Sequence, residues 1–492
     1  MICISVTPTS RKLAKADILN ATRHCDLVEV CLDHLAKEPD VGDLIKGFNK
    51  PILVSCRRQT DGGQWTGSED DRIKLLRQAI VAGPEYIELE LDAAAGIPRF
   101  GKTKRVISYT SYKPLGNVDE IFRDAAAVHA DVVKFTWPTP ALDAAWPLLA
   151  AVTKKRELPV VGMGVGAGST TFSLLSLRFG SPWVYAALEK GMEAHDGQAT
   201  VWDLDEVYDW IAIGPKTRFV GIVETGGHRN EALRQAVATL NAGFRALGLA
   251  YRCLPLELGK LDKLGQMLDI LKINALIVGA EWSETLLEVT GRREEAVQKS
   301  HFTDLLLKQP EGWHAYNFIW RNALRVLEHT LAAKSGAAPG QTPAQDRPLD
   351  RRNVLLVGAN NLAQALAFGI QRRKGVLSVT SPRDDDAREI AQAWNVRHVP
   401  FASVYDTLAD VVVIADPSIV CGHRKTELNP SFLRPTMTVL DLCRMPDETE
   451  FLREARERGC TIVEPSGVYR EQLAAQFKAV TGQELPAASA NP

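Results

Sequence analysis

The chain has 492 residues, 45% apolar and 24% charged, with a formal net charge of −2. That balance suits a soluble globular protein of about three domains and excludes a strongly basic binder of nucleic acid or of a membrane surface. The eight cysteines (3, 25, 31, 56, 253, 421, 443, 460) lack Cys-x-x-Cys spacing and several sit inside apolar runs, so reduced, buried thiols in a cytoplasmic protein are expected, and no metal site. The N-terminal MICISVTPTS has no charged region ahead of a long apolar one, and no run of 18 apolar residues occurs; neither a secretory leader nor a membrane span is expected.

From residue 1 to 210 short apolar runs alternate with helical patterns. ICISV, LVEVCLD, PILVSC, YIELEL, RVISYT, DVVKF, PVVGMG and SPWVYAAL are eight candidate strands, with amphipathic stretches such as SEDDRIKLLRQAIVAG and NVDEIFRDAAAVHA between them. Such alternation predicts parallel βα units closing into a (β/α)8 barrel. Functional groups in such barrels stand at the C-terminal strand ends. Ser5, Glu29, Arg57, Glu90, Thr110, Lys134 and the glycine-rich turn after Met163 are therefore expected to converge on one mouth. Lys134 closes the apolar run from Asp131. It cannot reach water as a surface lysine does, so desolvation should lower its pKa and free the amine for Schiff-base chemistry. The alternative is a strand-end lysine paired with a carboxylate.

Val207–Lys216 links to a second region that opens with Phe219-Val-Gly-Ile-Val. A helical pattern follows from Asn230 to Leu247, then YRCLPLEL, a helix around Lys260–Leu271, NALIVGA, and a long helix through Tyr316–Leu331. The segment 334–350, KSGAAPGQTPAQDRPLD, reads as a surface linker. Residues 351–383 read strand, turn, helix, strand, with Gly358-Ala-Asn360-Asn361-Leu-Ala363 at the turn and a helix to Arg373. Glycines at such a turn let a dinucleotide pyrophosphate approach a helix N-terminus; Asn360 in the second glycine position argues against it. The expected domains are 1–212, a barrel; 217–333, a substrate domain; 334–350, a linker; and 351–485, a Rossmann-like nucleotide-binding domain.

The ordered residues of the first 210 positions resemble type I 3-dehydroquinate dehydratase, a Schiff-base lyase. Ser5 matches the first-strand serine, and Glu29-Val-Cys31-Leu-Asp33 matches Glu-x-Arg-x-Asp with cysteine in place of arginine. Arg57 with Asp61-Gly62-Gly63 fits the arginine before Glu-Gly-Gly, Lys134 the Schiff-base lysine, and His195-Asp196-Gly197-Gln198 the end of a Ser-Ala-Pro-Gly-Gln loop. Thr110 occupies the position of the family's general acid/base histidine and cannot move that proton at neutral pH. No arginine precedes Arg178 where the family has a Ser-Arg carboxylate grip, and Gly164–Thr171 offers backbone N–H groups and hydroxyls instead. The resemblance implies that Lys134 forms the imine, that Ser5, Glu29, Arg57 and Gln198 bind substrate, and that the barrel needs no cofactor. His195 stands on the closing loop where the relatives have a small residue, a candidate for the missing base.

Residues 219–483 resemble shikimate dehydrogenase, in the order of the plant fusion. The resemblance rests on Asp441-Leu-Cys, on Glu450-Phe-Leu-Arg-Glu-Ala-Arg-Glu-Arg-Gly459, and on Gly467-Val468 with Gln472 before Phe477. It implies substrate contacts at Asn317 and Gln472 and NADP contacts at Gly358, Asn360, Ala363, Gly467 and Arg383. The family's Lys–Asp pair falls on Ser283 and Ile319, and its Ser-x-Ser on the Glu224–Arg229 region. Three readings stay open: a 3-dehydroquinate dehydratase with a dehydrogenase-like half that does not oxidise shikimate; a non-catalytic sensor of quinate- or shikimate-type metabolites, similar to fungal quinate repressors; and another lysine-dependent lyase or aldolase. All imply a small-molecule partner and no nucleic acid or membrane.

Overall fold

The computed structural model describes residues 1–110, 117–223, 230–334, 348–420 and 428–489. The predicted loop sequence 335–347 and the Glu224–Arg229 region lie outside the described residues. The chain divides into two compact units, 1–274 and 275–490, so the expected stretch 217–333 contributes to both.

The first unit opens with eight strands: β1 (Ile2–Val6), β2 (Leu27–Cys31), β3 (Ile52–Ser55), β4 (Tyr86–Glu90), β5 (Lys104–Thr110), β6 (Val132–Pro138), β7 (Val160–Val165) and β8 (Val184–Ala186). They pair in the order β7-β6-β5-β4-β3-β2-β1-β8, every adjacent pair parallel, which is the (β/α)8 architecture expected. The alternation of side chains sorts each strand. Cys3, Leu27, Leu53, Val106, Val132, Val161, Met163, Trp183 and Tyr185 cluster together as an apolar core. Two positions beyond Cys3, Leu27 and Val132 come Ser5, Glu29 and Lys134, and two beyond the partly buried Tyr86 comes Glu88, all four of them buried. An apolar layer thus underlies a polar one.

One boundary differs from expectation. β6 does not end at Lys134 but runs on to Pro138, because Thr136 and Trp137 continue the pairing with Met163 and Gly164 of β7. Beyond the barrel, β9 (Arg218–Val223) and β10 (Tyr251–Pro255) run parallel, with the helix Glu231–Ala246 between them.

The second unit takes up β11 (Ile273–Val278) and adds β12 (Arg292–Arg293), β13 (Leu305–Gln309) and β14 (Gly312–Tyr316). Here β11, β13 and β14 pair antiparallel and β12 lies parallel to β14. Tyr316 belongs to β14, so the long helix begins later than expected, at Ile319–Lys334; a partner strand captures Tyr316 before the helical pattern starts. A six-stranded parallel sheet follows: β15 (Asn353–Val357), β16 (Val376–Thr380), β17 (Arg397–His398), β18 (Val411–Ile414), β19 (Thr438–Asp441) and β20 (Thr461–Val463), in the order β17-β16-β15-β18-β19-β20. Val354 and Leu356 pack into one apolar cluster, Leu355 and Val357 into another, as a parallel strand covered on both faces requires. Among the described residues no helix is long and apolar enough to cross a membrane. No disulfide joins the seven described cysteines, six of which are buried.

Candidate active site

A cavity at the C-terminal ends of the barrel strands is lined by Ser5, Glu29, Arg57, Glu88, Thr110, Lys134 and His195, among others. Lys134 is 1% exposed and its Nζ lies 2.9 and 3.2 Å from the two carboxylate oxygens of Glu88. Glu29 Oε1 stands 4.0 Å from the same Nζ and 3.2 Å from Arg57 Nη1, while Ser5 donates to Glu29 Oε2 at 2.7 Å. The Tyr185 ring covers the ammonium, 4.7 Å from Nζ to centroid. Burial alone would raise the Glu29 carboxyl, but Arg57, Lys134 and the Ser5 hydroxyl outweigh it and hold the group well below the usual carboxylate range.

The lysine is therefore buried, as expected, but not left unpaired. Its partner, Glu88, was missed by sequence reasoning, which placed Glu90 at the mouth. Glu90 is turned away. Its two oxygens accept from Arg72 Nη1 at 2.8 and 2.9 Å, and Arg72 belongs to the helix Glu69–Ala82. Glu88 and Glu90 share one strand parity, and the period-2 pattern signals only that parity, not the layer.

Arg57 is positioned by its loop. Asp33 accepts from Arg57 N at 3.2 Å and from Gln64 N at 2.8 Å, tying the β2 and β3 exits together. Gly63 is required there, since a Cβ would sit 2.2 Å from the Arg57 carbonyl oxygen. Cys31, in the place of the expected arginine, accepts from Arg57 Nη2 at 3.2 Å. Arg57 Nε is buried without a hydrogen-bond partner. The acid of Asp61 is engaged with Arg58 Nε at 2.7 Å.

The segment Ala194–Gln198 closes the mouth. Gln198 accepts from Ala194 N at 2.7 Å and reaches Ser5 Oγ at 3.4 Å. His195 faces the cavity with Nε2 buried and without a hydrogen-bond partner, and Nδ1 stands 3.2 Å from the Asp196 carbonyl oxygen. Burial pushes its pKa down to about 4, and Lys134 and Arg57 act in the same sense, so the ring is neutral near pH 7. Thr110 lines the cavity and offers only a hydroxyl.

The glycine-rich turn does not present free hydroxyls as an anion grip. Ser169 donates to Gly164 O at 2.8 Å, Thr170 to Gly197 O at 2.9 Å and Thr171 to Pro255 O at 2.7 Å. Arg178 donates to Thr217 O at 2.8 Å and does not line the cavity.

The candidate residues of the second unit are engaged within that unit. Asn317 is fully buried and donates to Phe302 O at 3.1 Å; Gln472 donates to Asp304 Oδ2 at 2.9 Å. Ser283 accepts from Thr303 N and donates to Thr303 O, and Ile319 starts a helix. Neither position carries a group that moves protons.

At the nucleotide turn Gly358 has φ +129° and a Cβ there would meet Asp416 at 2.9 Å, so glycine is needed. Asn360, however, caps the helix Asn361–Arg372. Its Oδ1 accepts from Ala363 N at 2.9 Å and its Nδ2 donates to Ala415 O at 2.9 Å. The helix N-terminus that a pyrophosphate approaches in such folds is filled by the chain's own side chain. Ala363 is buried in that helix, Gly467 lies inside the helix Pro465–Thr481, and Arg383 is 3.1 Å from Asp386 and 3.6 Å from Asp416.

Residues 2–215 match the model of the family described as Type I 3-dehydroquinase. The chain is 24% identical over 481 residues to the bifunctional 3-dehydroquinate dehydratase/shikimate dehydrogenase of Arabidopsis thaliana, a chloroplastic protein, covering 94% of this chain and 78% of that one. It is 26% identical over 220 residues to the 3-dehydroquinate dehydratase of Methanococcus vannielii, covering 43% of this chain and all of that one. Among solved structures, the dehydroquinate dehydratase and shikimate dehydrogenase from S. pombe AroM is similar over 99% of this chain and 97% of that chain, with 16% identity and a TM-score of 0.43.

Proposed function

On the premise that residues 2–215 are a type I 3-dehydroquinase domain followed by a shikimate dehydrogenase-like region, we propose that the barrel dehydrates 3-dehydroquinate through an imine on Lys134. The observation that carries this reading is a buried primary amine within 2.9 Å of a buried carboxylate, in a cavity that also holds an arginine. Glu88 takes a proton from Lys134, the freed amine attacks the C3 carbonyl, and the carbonyl oxygen leaves as water when Glu88 returns that proton, which gives the iminium. The iminium acidifies the C2–H. A base removes that proton, the C1 hydroxyl departs as water, and hydrolysis of the imine frees 3-dehydroshikimate and the lysine.

His195 serves as that base. His195 lines the cavity, is neutral near pH 7 and has an unpartnered Nε2 that can accept a proton, though burial makes it a weaker base than an ordinary imidazole; no other histidine lines the cavity among the described residues. Arg57, with Nε unpaired, serves the substrate's anionic side.

Borohydride reduction in the presence of 3-dehydroquinate, followed by intact mass, tests the reading. The wild type should gain one reduced adduct that Lys134→Ala lacks. No adduct in the wild type, or one that persists in Lys134→Ala, overturns it in favour of a non-catalytic sensor or of different carbonyl chemistry. His195→Ala should lower turnover by roughly 10²-fold or more while adducts still form, because base and nucleophile act in separate steps.

The dehydrogenase-like region does not oxidise shikimate in this reading. Ser283 and Ile319 cannot replace a Lys–Asp pair, and Asn360 occupies its own helix N-terminus.

A further inference from the structure

The helix Ser169–Arg178 is unusual among the helices that surround the barrel. All eight residues from Ser169 to Ser176 are buried, whereas the helix Glu69–Ala82 buries only Arg72, Leu75, Leu76, Ala79 and Ile80. A helix on the outside of a barrel normally keeps a wet face. Here that face is covered by the region that follows the barrel.

The contacts are specific. Thr171 Oγ1, 2% exposed, donates to Pro255 O at the end of β10 at 2.7 Å, and two residues on Glu257 O accepts from Leu142 N, in the loop after β6, at 2.8 Å. Gly259, at φ +69°, lies so close to that loop that a Cβ would meet Asp143 Oδ1 at 1.9 Å. At the far end of the helix Arg178 donates to Thr217 O. The stretch 255–259 therefore grips the loop after β6 and the first turn of the helix after β7.

The neighbouring threonine faces the other way. Thr170 donates to Gly197 O at 2.9 Å, Gly166 N donates to Asp196 O at 3.2 Å, and Gly197 packs so tightly that a Cβ would lie 2.1 Å from Gly166 O. These contacts hold the segment that carries His195 and Gln198 over the cavity. Thr170 and Thr171, adjacent on one helical turn, thus join the closing segment on one side to β10 on the other.

We infer that the region after the barrel is a working part of the dehydratase site: through Pro255 and the positioning residue Thr171 it fixes the turn on which the His195–Gln198 segment closes. The inference rests on the dehydratase reading for its kinetic consequence, but its structural content is independent of turnover. It also gives the dehydrogenase-like region a role that requires neither NADP nor a proton-moving pair.

The test uses the full-length chain with Thr171→Val, which keeps shape and removes the hydroxyl, the smaller Thr171→Ala, Thr171→Ser, which restores the hydroxyl, and Thr170→Val. Hydrogen exchange of residues 194–198 should speed up about tenfold or more in Thr171→Val and Thr171→Ala at unchanged melting temperature, and return towards wild type in Thr171→Ser. Turnover should fall about tenfold with imine trapping retained, since a small misplacement of a base is costly. Thr170→Val combined with Thr171→Val should be no worse than Thr170→Val alone, as both act on one latch. A general loss of stability would move the melting temperature and not this segment selectively. Unchanged exchange at 194–198 in both hydroxyl-removing variants overturns the inference. If the wild type does not turn over at all, the dehydratase reading falls, and the exchange measurement still decides this one.

Discussion

Glu88 and Glu90 stand two positions apart on β4 and on the same side of it, yet one faces Lys134 and the other Arg72. The difference is testable. Glu88→Gln should slow imine trapping by about tenfold or more by removing the proton acceptor beside the amine, while Glu90→Gln should leave trapping within about threefold and act on stability. Glu88→Ala should cost about 3–5 kcal/mol, because it strands a buried ammonium, measured by denaturant titration. His195 gives a pH prediction. Its folded pKa of about 4 lies below the value of 6.5 for an ordinary histidine, so the base is neutral at all pH values above about 4. Turnover should therefore rise with pH through about 4 and not through 6.5, and His195→Ala should lose that limb. The same shift contributes stability that is fully present above about 6.5 and lost as pH falls towards 4, since the unfolded chain binds the proton first.

At the scale of elements, the helix Ile319–Lys334 begins on a borrowed cap. Asp304 accepts from Phe318 N at 2.8 Å and Ile319 N at 2.7 Å, and Gln472 from the helix Pro465–Thr481 joins at 2.9 Å. Burial raises the Asp304 carboxyl to about 6 despite these donors. A raised acid favours the fold where it is protonated, so this contribution is largest below about 4 and is lost as pH climbs through 6. Asp304→Asn should flatten that slope in thermal melts between pH 4 and 6. Asp304→Ala should cost about 2 kcal/mol through the lost cap and the stranded donors. Gln472 Nε2 is thus tied to that cap. The bond packs one helix against the start of another.

For the whole molecule, NADP-dependent oxidation of shikimate should stay at background, at least 10²-fold below an enzyme with both proton-moving groups; turnover within tenfold of such an enzyme would overturn the assignment of Ser283 and Ile319. The linear sequence determined the (β/α)8 order of the first half, because eight β-branched runs alternating with amphipathic stretches admit few other parallel packings. It also placed Ser5, Glu29, Arg57 and Lys134 at strand exits by residue type and position, whereas His195 was reached only through the family resemblance of its loop. Tertiary structure alone decided how these groups are paired. Strand periodicity assigns a side and not a depth, so Glu88 rather than Glu90 became the partner of the lysine. A turn rich in glycine and hydroxyls looks the same in sequence whether it binds an anion or its own backbone, and here Ser169, Thr170 and Thr171 bind carbonyl oxygens 5, 27 and 84 residues away. The last of these distances marks the limit: a contact between Thr171 and Pro255 leaves no local pattern, and only the folded chain brings the end of β10 to the mouth of the barrel.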